Sequence, residues 1–492
     1  MQSIEQKLSS LARDDYQRVK SHLEEIGSPF FESQTGKRVN ETRILDVTKQ
    51  VSDYLGDDSK SYGSRFYLKL EYDNPLTHSV KGRAVASMVL EAIETGALYT
   101  STGQRKKWIE PTSGNTGKGL AELANLLGVE FTAVFSRLDV SQAIKDELLK
   151  YGARMITIGS EYTLDDLESL AKKQNKTVSY YWANFGGANE DTEKFMSKKV
   201  ADARGESLTS ALKEIEGTLL LDKLLPLAIE ASVTPIMSRV KHGEFGNLID
   251  ELRGNIPELD DASKIVGFVC PEGNTSMLVS TLLNQLGFTN VSNIKGGVKS
   301  LRSEEGKISV SSEYCPVPGT SITKSSIDFV KKLVSDNPQE YFTFMQYENA
   351  ENFYAHYKTT GPELERQVEH LDYIVCTFGT GGTATGIAKY FSEKKVVVAF
   401  PDKPVEGIRT RGGVEGLAFY KPELYSRTVE IDTGKSEDLL EYFVKEGLHI
   451  GPSTAVGLVA AVEMAKAERG KVFAVIASDS LDNYEAEYNH LL

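Results

Sequence analysis

Cysteine, tryptophan and long apolar runs are all scarce in this chain. Its 492 residues hold 3 cysteines, Cys270, Cys315 and Cys376, and 2 tryptophans. Three cysteines make neither a disulfide framework nor a four-cysteine zinc site, so no metal centre is read and the expected compartment is reducing. No stretch approaches the roughly 18 continuous apolar residues of a spanning helix. The first residues, MQSIEQKLSSLARDDYQRV, lack the apolar core of a secretory signal. Positive charge is also in deficit, with 56 Lys and Arg against 70 Asp and Glu, a net charge of −14. That balance argues against nucleic-acid and anionic-membrane partners but leaves room for a small anion in a local cleft. A soluble, cytoplasmic protein is expected. What is abundant is glycine, 41 residues set at the ends of apolar runs, beside 40% hydrophobic residues, the mark of an ordered α/β protein. At about 150 residues per domain, the length corresponds to roughly three domains.

Residues 1–60 are polar and read as a supporting helical extension. From position 66, short apolar runs alternate with amphipathic helices: FYLKLEY, SVKGRAVASMVLEAIETG, KKWIEP, TGKGLAELANLLG, VEFTAVFS. Strand, loop and helix in repetition predict a parallel sheet covered on both faces. The rhythm returns at the C-terminal end in LDYIVCTF, TATGIAKYFSEK, KVVVAF and KVFAVIAS. Between them, from about 160 to 315, the chain is more charged and carries its own unit, KIVGFVCPEGNTSMLVSTLLNQLGF, read as an inserted domain at 200–305. The remaining boundaries are a smaller lobe at 61–158 plus 316–350, sharing its N-terminal strands with a larger lobe at 351–492. SYYWANFGGANED and EYFTFMQYENAEN look alike, and either could be where the first module resumes; the second is preferred.

Three loops carry chemistry. Lys81, in NPLTHSVKGR, stands at the start of an amphipathic helix. The helix dipole and Arg83 disfavour a protonated amine there, and a lysine of lowered pKa is what a Schiff base needs; a surface lysine in a first helical turn is the bland alternative. Thr112, Ser113, Gly114, Asn115, Thr116 and Gly117 join a strand to a helix whose amides and hydroxyls suit a small carboxylate, or form a plain capped turn. Gly379, Thr380, Gly381, Gly382 and Thr383 form a third strand-to-helix loop, an anion nest suited to a phosphate monoester.

In order and context these motifs resemble the fold-type II pyridoxal-phosphate enzymes, specifically the cysteine synthase and cystathionine β-synthase family. The resemblance covers about residues 66–158 and 316–485. It implies two α/β lobes around pyridoxal 5′-phosphate, with a homodimer as the expected assembly. It makes Lys81 the cofactor-bearing lysine and later the base at the substrate's α-carbon. By the same resemblance the Gly379–Thr383 loop binds the cofactor phosphate, Asn115 meets the phenolic oxygen and Ser453, in IGPSTAVG, meets the ring nitrogen. Thr112, Ser113, Thr116 and Gln346 then hold the substrate carboxylate. A serine at the ring nitrogen leaves the ring a weaker electron sink than a carboxylate would, which suits β-elimination and β-replacement better than transamination. Gly82 and Lys118 depart from the commoner pattern.

The implied reaction makes L-cysteine from an activated serine and a sulfide donor. The spacing from Asn74 to Lys81 looks like that of archaeal O-phosphoserine sulfhydrylases, and Arg409 and Arg411 in EGIRTRGG fit a phosphate leaving group, unless they are plain surface arginines. O-Acetylserine is the other candidate. Cystathionine β-synthase chemistry, a serine or threonine dehydratase, and a sulfur-relay or scaffold protein with a vestigial cofactor fold are the rivals. VCPEGNTSMLVSTLLNQLGFTNVSNIKGG resembles the second half of a rhodanese domain, with Cys270 at the persulfide position. Glu272 opposes a thiolate there, so a catalytic and a merely structural insert both stand.

Overall fold

The computed structural model describes residues 4–56, 60–112, 114–135, 142–157, 161–183, 212–214, 218–233, 235–270, 273–295, 297, 302–303, 306–307, 326–414, 417–484, 488 and 491. Three sheets organise the chain.

The first has six strands in the order Arg427–Ile431, Val396–Pro401, Tyr373–Thr377, Val472–Ala477, Arg65–Leu70 and Ile44–Asp46. All its pairs are parallel except the last, where Ile44–Asp46 runs antiparallel to Arg65–Leu70. Two of its inner strands, VVVAF and VFAVIA, are apolar without interruption because both faces are covered there. Val397 and Ala399 pack into the core on one face, while Val396, Val398 and Phe400 pack into the core on the other.

The second sheet is parallel, in the order Tyr341–Phe342, Lys107–Pro111, Phe131–Phe135 and Arg154–Thr157. Tyr341–Phe342 therefore returns to the first module after the long intervening segment. The similar run Thr177–Trp182 goes elsewhere, into the third sheet.

The N-terminal residues pack against both of these sheets. The helix Ile4–Glu25 buries Tyr16, Val19 and Leu23, spaced by three and four, in the core beneath the smaller sheet, while Ile44–Asp46 extends the larger one.

The third sheet has five strands, all parallel, in the order Leu212–Glu214, Thr177–Trp182, Lys264–Val269, Val291–Ile294 and Glu161–Tyr162. It begins at Glu161, earlier than the expected insert boundary of 200, because the segments at 161 and 177 pair with the strands after 264. Its own core includes Leu224, Leu252, Val266, Phe268, Leu278 and Leu282. No helix among the described residues is long and apolar enough to cross a membrane.

Candidate active site

The carboxyl ends of the strands in the two larger modules face one cavity of about 310 Å3. In open parallel sheets, ligand crevices lie at these ends. Four helices also begin around it, Lys81–Glu94, Asn115–Leu127, Gly382–Tyr390 and Pro452–Ala467, so their positive ends favour an anionic ligand.

Lys81 opens its helix, and the preceding turn is tied down where the Val80 N–H donates to the Ser478 carbonyl at 2.7 Å. Position 82 accepts only glycine, since a Cβ there would lie 2.4 Å from the Asn74 amide. Burial pushes the Lys81 amine below the usual lysine range, against the opposing pull of the Asp479 carboxylate. His78, in the same loop, is exposed and does not line the cavity.

Thr112, Asn115, Thr116 and Gln346 line the same cavity. The Thr112 hydroxyl accepts from the Gly114 and Gly117 N–H groups, both at 3.1 Å, closing the turn. The Thr116 hydroxyl donates to Gln346 Oε1 at 2.7 Å, and Gln346 Nε2 donates to the Pro111 carbonyl at 2.8 Å. Ser113 lies outside the described residues. The anion loop turns at Gly381, whose φ of +92° sits in the left-handed region that favours glycine. Gly379, Thr380, Gly381 and Thr383 line the cavity, and Gly382 opens the helix behind them.

Arg409 lines the cavity too, its Nε donating to the Gly379 carbonyl at 3.2 Å. Arg411 does not: it is exposed, because the chain turns into the short 3-10 helix Arg411–Gly413 instead of staying extended, which would have kept residues two apart on one face. Cys270 is also absent from the cavity lining and is fully buried in the third sheet's core. Cys376 is buried, and burial pushes its thiol up to about 12; Cys315 lies outside the described residues.

Sequence reading overlooked several residues that shape the site. Glu110 accepts from the N–H groups of Phe344, Met345 and Gln346 and from the Thr343 hydroxyl, all within 2.7–3.0 Å, so it seats the segment that carries Gln346. Met345 is held there at a φ of +49°. His356 faces the Thr360 hydroxyl at 2.9 Å and the Thr383 hydroxyl at 3.3 Å; burial and the nearby Arg83 and Lys81 hold it well below its usual range, as a neutral ring. Glu110 lies on the strand Lys107–Pro111, two residues before Thr112, the only local hint of its role.

Two buried polar atoms test which group this cavity takes. Ser453 Oγ and Asn115 Oδ1 have no hydrogen-bond partner within the protein, although both residues line the cavity. Such atoms are costly unless a ligand pairs with them. With a buried amine and an amide-rich anion loop, they fit a phosphorylated heteroaromatic aldehyde. The fold and site thus define an α/β enzyme built around a phosphorylated organic cofactor. The chain belongs to the family described as pyridoxal-phosphate dependent enzyme, which matches residues 54–196 and 268–479.

Among its relatives, a putative mitochondrial cysteine synthase of Saccharomyces cerevisiae is 27% identical over 252 residues, 42% of this chain and 64% of that protein. Cysteine synthase B of Salmonella typhimurium is 32% identical over 147 residues, 28% of this chain and 48% of that protein. Cystathionine beta-synthase of Dictyostelium discoideum is 31% identical over 190 residues, 34% of this chain and 37% of that protein. The chain thus spans between about a third and two thirds of the length of these curated relatives. A crystal structure of cysteine synthase from Entamoeba histolytica is 18% identical, covering 91% of this chain and 88% of that one, at a TM-score of 0.49. No cluster of His, Cys, Asp and Glu able to hold a metal ion occurs among the described residues.

Proposed function

We propose that the protein makes L-cysteine by β-replacement, exchanging the oxygen substituent of an activated serine for sulfide. One observation carries this reading: a single cavity collects Lys81, the Thr112, Thr116 and Gln346 cradle, the anion loop and the unpartnered Ser453 and Asn115 atoms. Pyridoxal phosphate, held by the anion loop, Ser453, Asn115 and Lys81, supplies the electron sink that acidifies the substrate's α-carbon. Thr112, Thr116 and Gln346 bind the substrate carboxylate and fix the α-hydrogen toward Lys81. Lys81 Nζ, whose own proton is held less tightly because burial lowers its pKa, takes that hydrogen as a general base. Homocysteine in place of sulfide is the second nucleophile to assay, since cystathionine synthesis needs the same first half-reaction.

The leaving group we assign is phosphate, on the ground that Arg409 lines the cavity beside Gly379, which itself lies against Lys81. A guanidinium matches a phosphate dianion and finds no such partner on an acetyl ester. Arg409→Met is therefore expected to cut kcat/KM for O-phosphoserine at least about tenfold more than for O-acetylserine, the value of one lost charged hydrogen bond. Equal losses on both substrates, or turnover of O-acetylserine alone, would remove phosphate from the proposal.

For the insert we propose a rhodanese-like sulfur-carrying role at Cys270. Numbered along the chain, its strands lie in the order third, second, fourth, fifth, first, so the direction of winding reverses beside Lys264–Val269. Cys270 follows that strand, at the kind of switch point where α/β sheets bind ligands. The Gly273 N–H, the Ser276 N–H and the Ser276 hydroxyl all point at its sulfur, at 3.1, 3.4 and 3.2 Å, which suits an anionic sulfur. The thiolate would attack the outer sulfur of a low-molecular-weight persulfide, whose S–S bond breaks to release a thiolate while Cys270 keeps the sulfur. Incubation with such a donor should add one sulfur atom to the intact mass of the wild type and none to Cys270→Ser. Equal labelling of both would end this part of the proposal.

A further inference from the structure

Asp479 follows the strand Val472–Ala477 and is fixed by its backbone. Its carbonyl accepts from the Gly451 N–H at 3.0 Å, and it bridges to Ser79 in the turn before Lys81. One carboxylate oxygen accepts from the Tyr484 hydroxyl at 2.6 Å and from Asn115 Nδ2 at 3.2 Å. The other, Oδ1, is buried without a hydrogen-bond partner within the protein, where a Cβ on residue 451 would come within 2.4 Å of it. The residue lines the cavity beside Lys81.

Lys118, one of the two departures from the commoner motif, lies behind it. Its Nζ is buried and donates to Asn483 Oδ1 at 2.8 Å, and Asn483 in turn lines the cavity. Burial pushes the Asp479 carboxyl up, opposed by the Tyr484 hydroxyl, the buried Lys81 and Lys118 amines and the Asn115 amide, which all favour its charge. The other titratable groups near this cluster are Tyr484, Glu147 beside Lys118, His356 behind Lys81, and Glu406, Tyr347 and Arg409 in the cavity wall.

We infer that Asp479 is a positioning residue of this site: it orients the Asn115 amide and, with Lys118 as its buried counter-cation, supplies the fixed anion opposite Lys81. The inference rests on Lys81 holding the cofactor covalently. The anion then keeps a proton on the lysine nitrogen, while Lys118 offsets part of its field.

The two flanking charges thus act in opposite directions, which a merely structural role would not do. The test is the pH midpoint of the visible absorption band of the cofactor-loaded, full-length protein. Asp479→Asn is expected to move it down by about one unit or more, a tenfold loss of proton affinity, because an opposite charge at close range is worth that much. Lys118→Met is expected to move it up. A midpoint that stays put in both variants, with the band still dependent on Lys81, overturns the inference. Should Asp479→Asn fail to fold, Lys118→Met decides alone: an upward shift supports the inference, and no shift or a downward one overturns it. A band that survives in Lys81→Met sinks the covalent reading, and this inference falls with it.

Discussion

Lys81→Met is expected to abolish the yellow colour of the cofactor-loaded protein and to lower turnover by at least about 10^3-fold, while leaving the fold at least as stable. The loss follows from the double duty proposed for one amine, attachment of the cofactor and removal of the α-hydrogen; general-base catalysis alone contributes about 10^2–10^4-fold. The unchanged stability follows from burial. An amine whose pKa is driven down by desolvation costs stability in its charged form, so an apolar chain of similar length relieves that cost. Absorption spectra, steady-state rates and a urea unfolding curve on one preparation check all three outcomes. Wild-type turnover in Lys81→Met would overturn the double duty assigned to this amine, whereas a wild type that neither colours with pyridoxal phosphate nor turns over would favour a scaffold role.

The parts of this site that are legible in the sequence are those made by local turn chemistry. Lys81, the Thr112 loop and the Gly379 loop each sit between a strand and a helix, so their glycines and hydroxyls mark them without any knowledge of the fold. Ser453 marks its site in the same way, through a helix start. What is not legible is convergence across the chain. Glu110 acts on residues 233–236 positions away, and Asp479 meets Asn115 across 364 positions. Nothing local in EPTSGN tells a buried acceptor from a surface acid, and for Asp479 the family resemblance points to the rim of the cofactor pocket but not to its contact with Asn115. Arg409 and Arg411 fail to separate for a related reason, since nothing local shows that the chain turns into a short helix at Arg411. The double origin of the larger sheet is hidden too, because the three residues Ile44–Asp46 are too few to show a period. Gly82, an oddity as a motif residue, becomes necessary once Asn74 is seen packed against it.

Arg83→Met is expected to destabilise the protein by about 3–5 kcal/mol, the cost of breaking a buried ion network by removing one partner. Arg83 lies two residues beyond Lys81 and is fully buried. It donates to Glu71 and to Glu363, each at 2.7 Å in its closest contact. Lys69, also buried, donates to Glu363 at 2.6 Å and to the Thr42 carbonyl at 2.7 Å. Two cations therefore balance two carboxylates in a buried network that ties the Lys81 helix to the strand Arg65–Leu70 and to the helix Thr360–Gln367. Burial pushes Glu363 up, but Arg83 and Lys69 overcome it and hold the carboxyl below the usual glutamate range. A depressed carboxyl contributes stability that is present above its unfolded value and is lost as pH falls through its folded value. Removing Arg83 reverses the sign for the acids it leaves behind, whose buried charge is then relieved by protonation. The stability gap between wild type and Arg83→Met should therefore be widest at neutral pH and narrow as the solution is acidified. Urea midpoints at neutral and mildly acidic pH measure it, and a gap that stays constant with pH would show that Arg83 acts by packing rather than by charge.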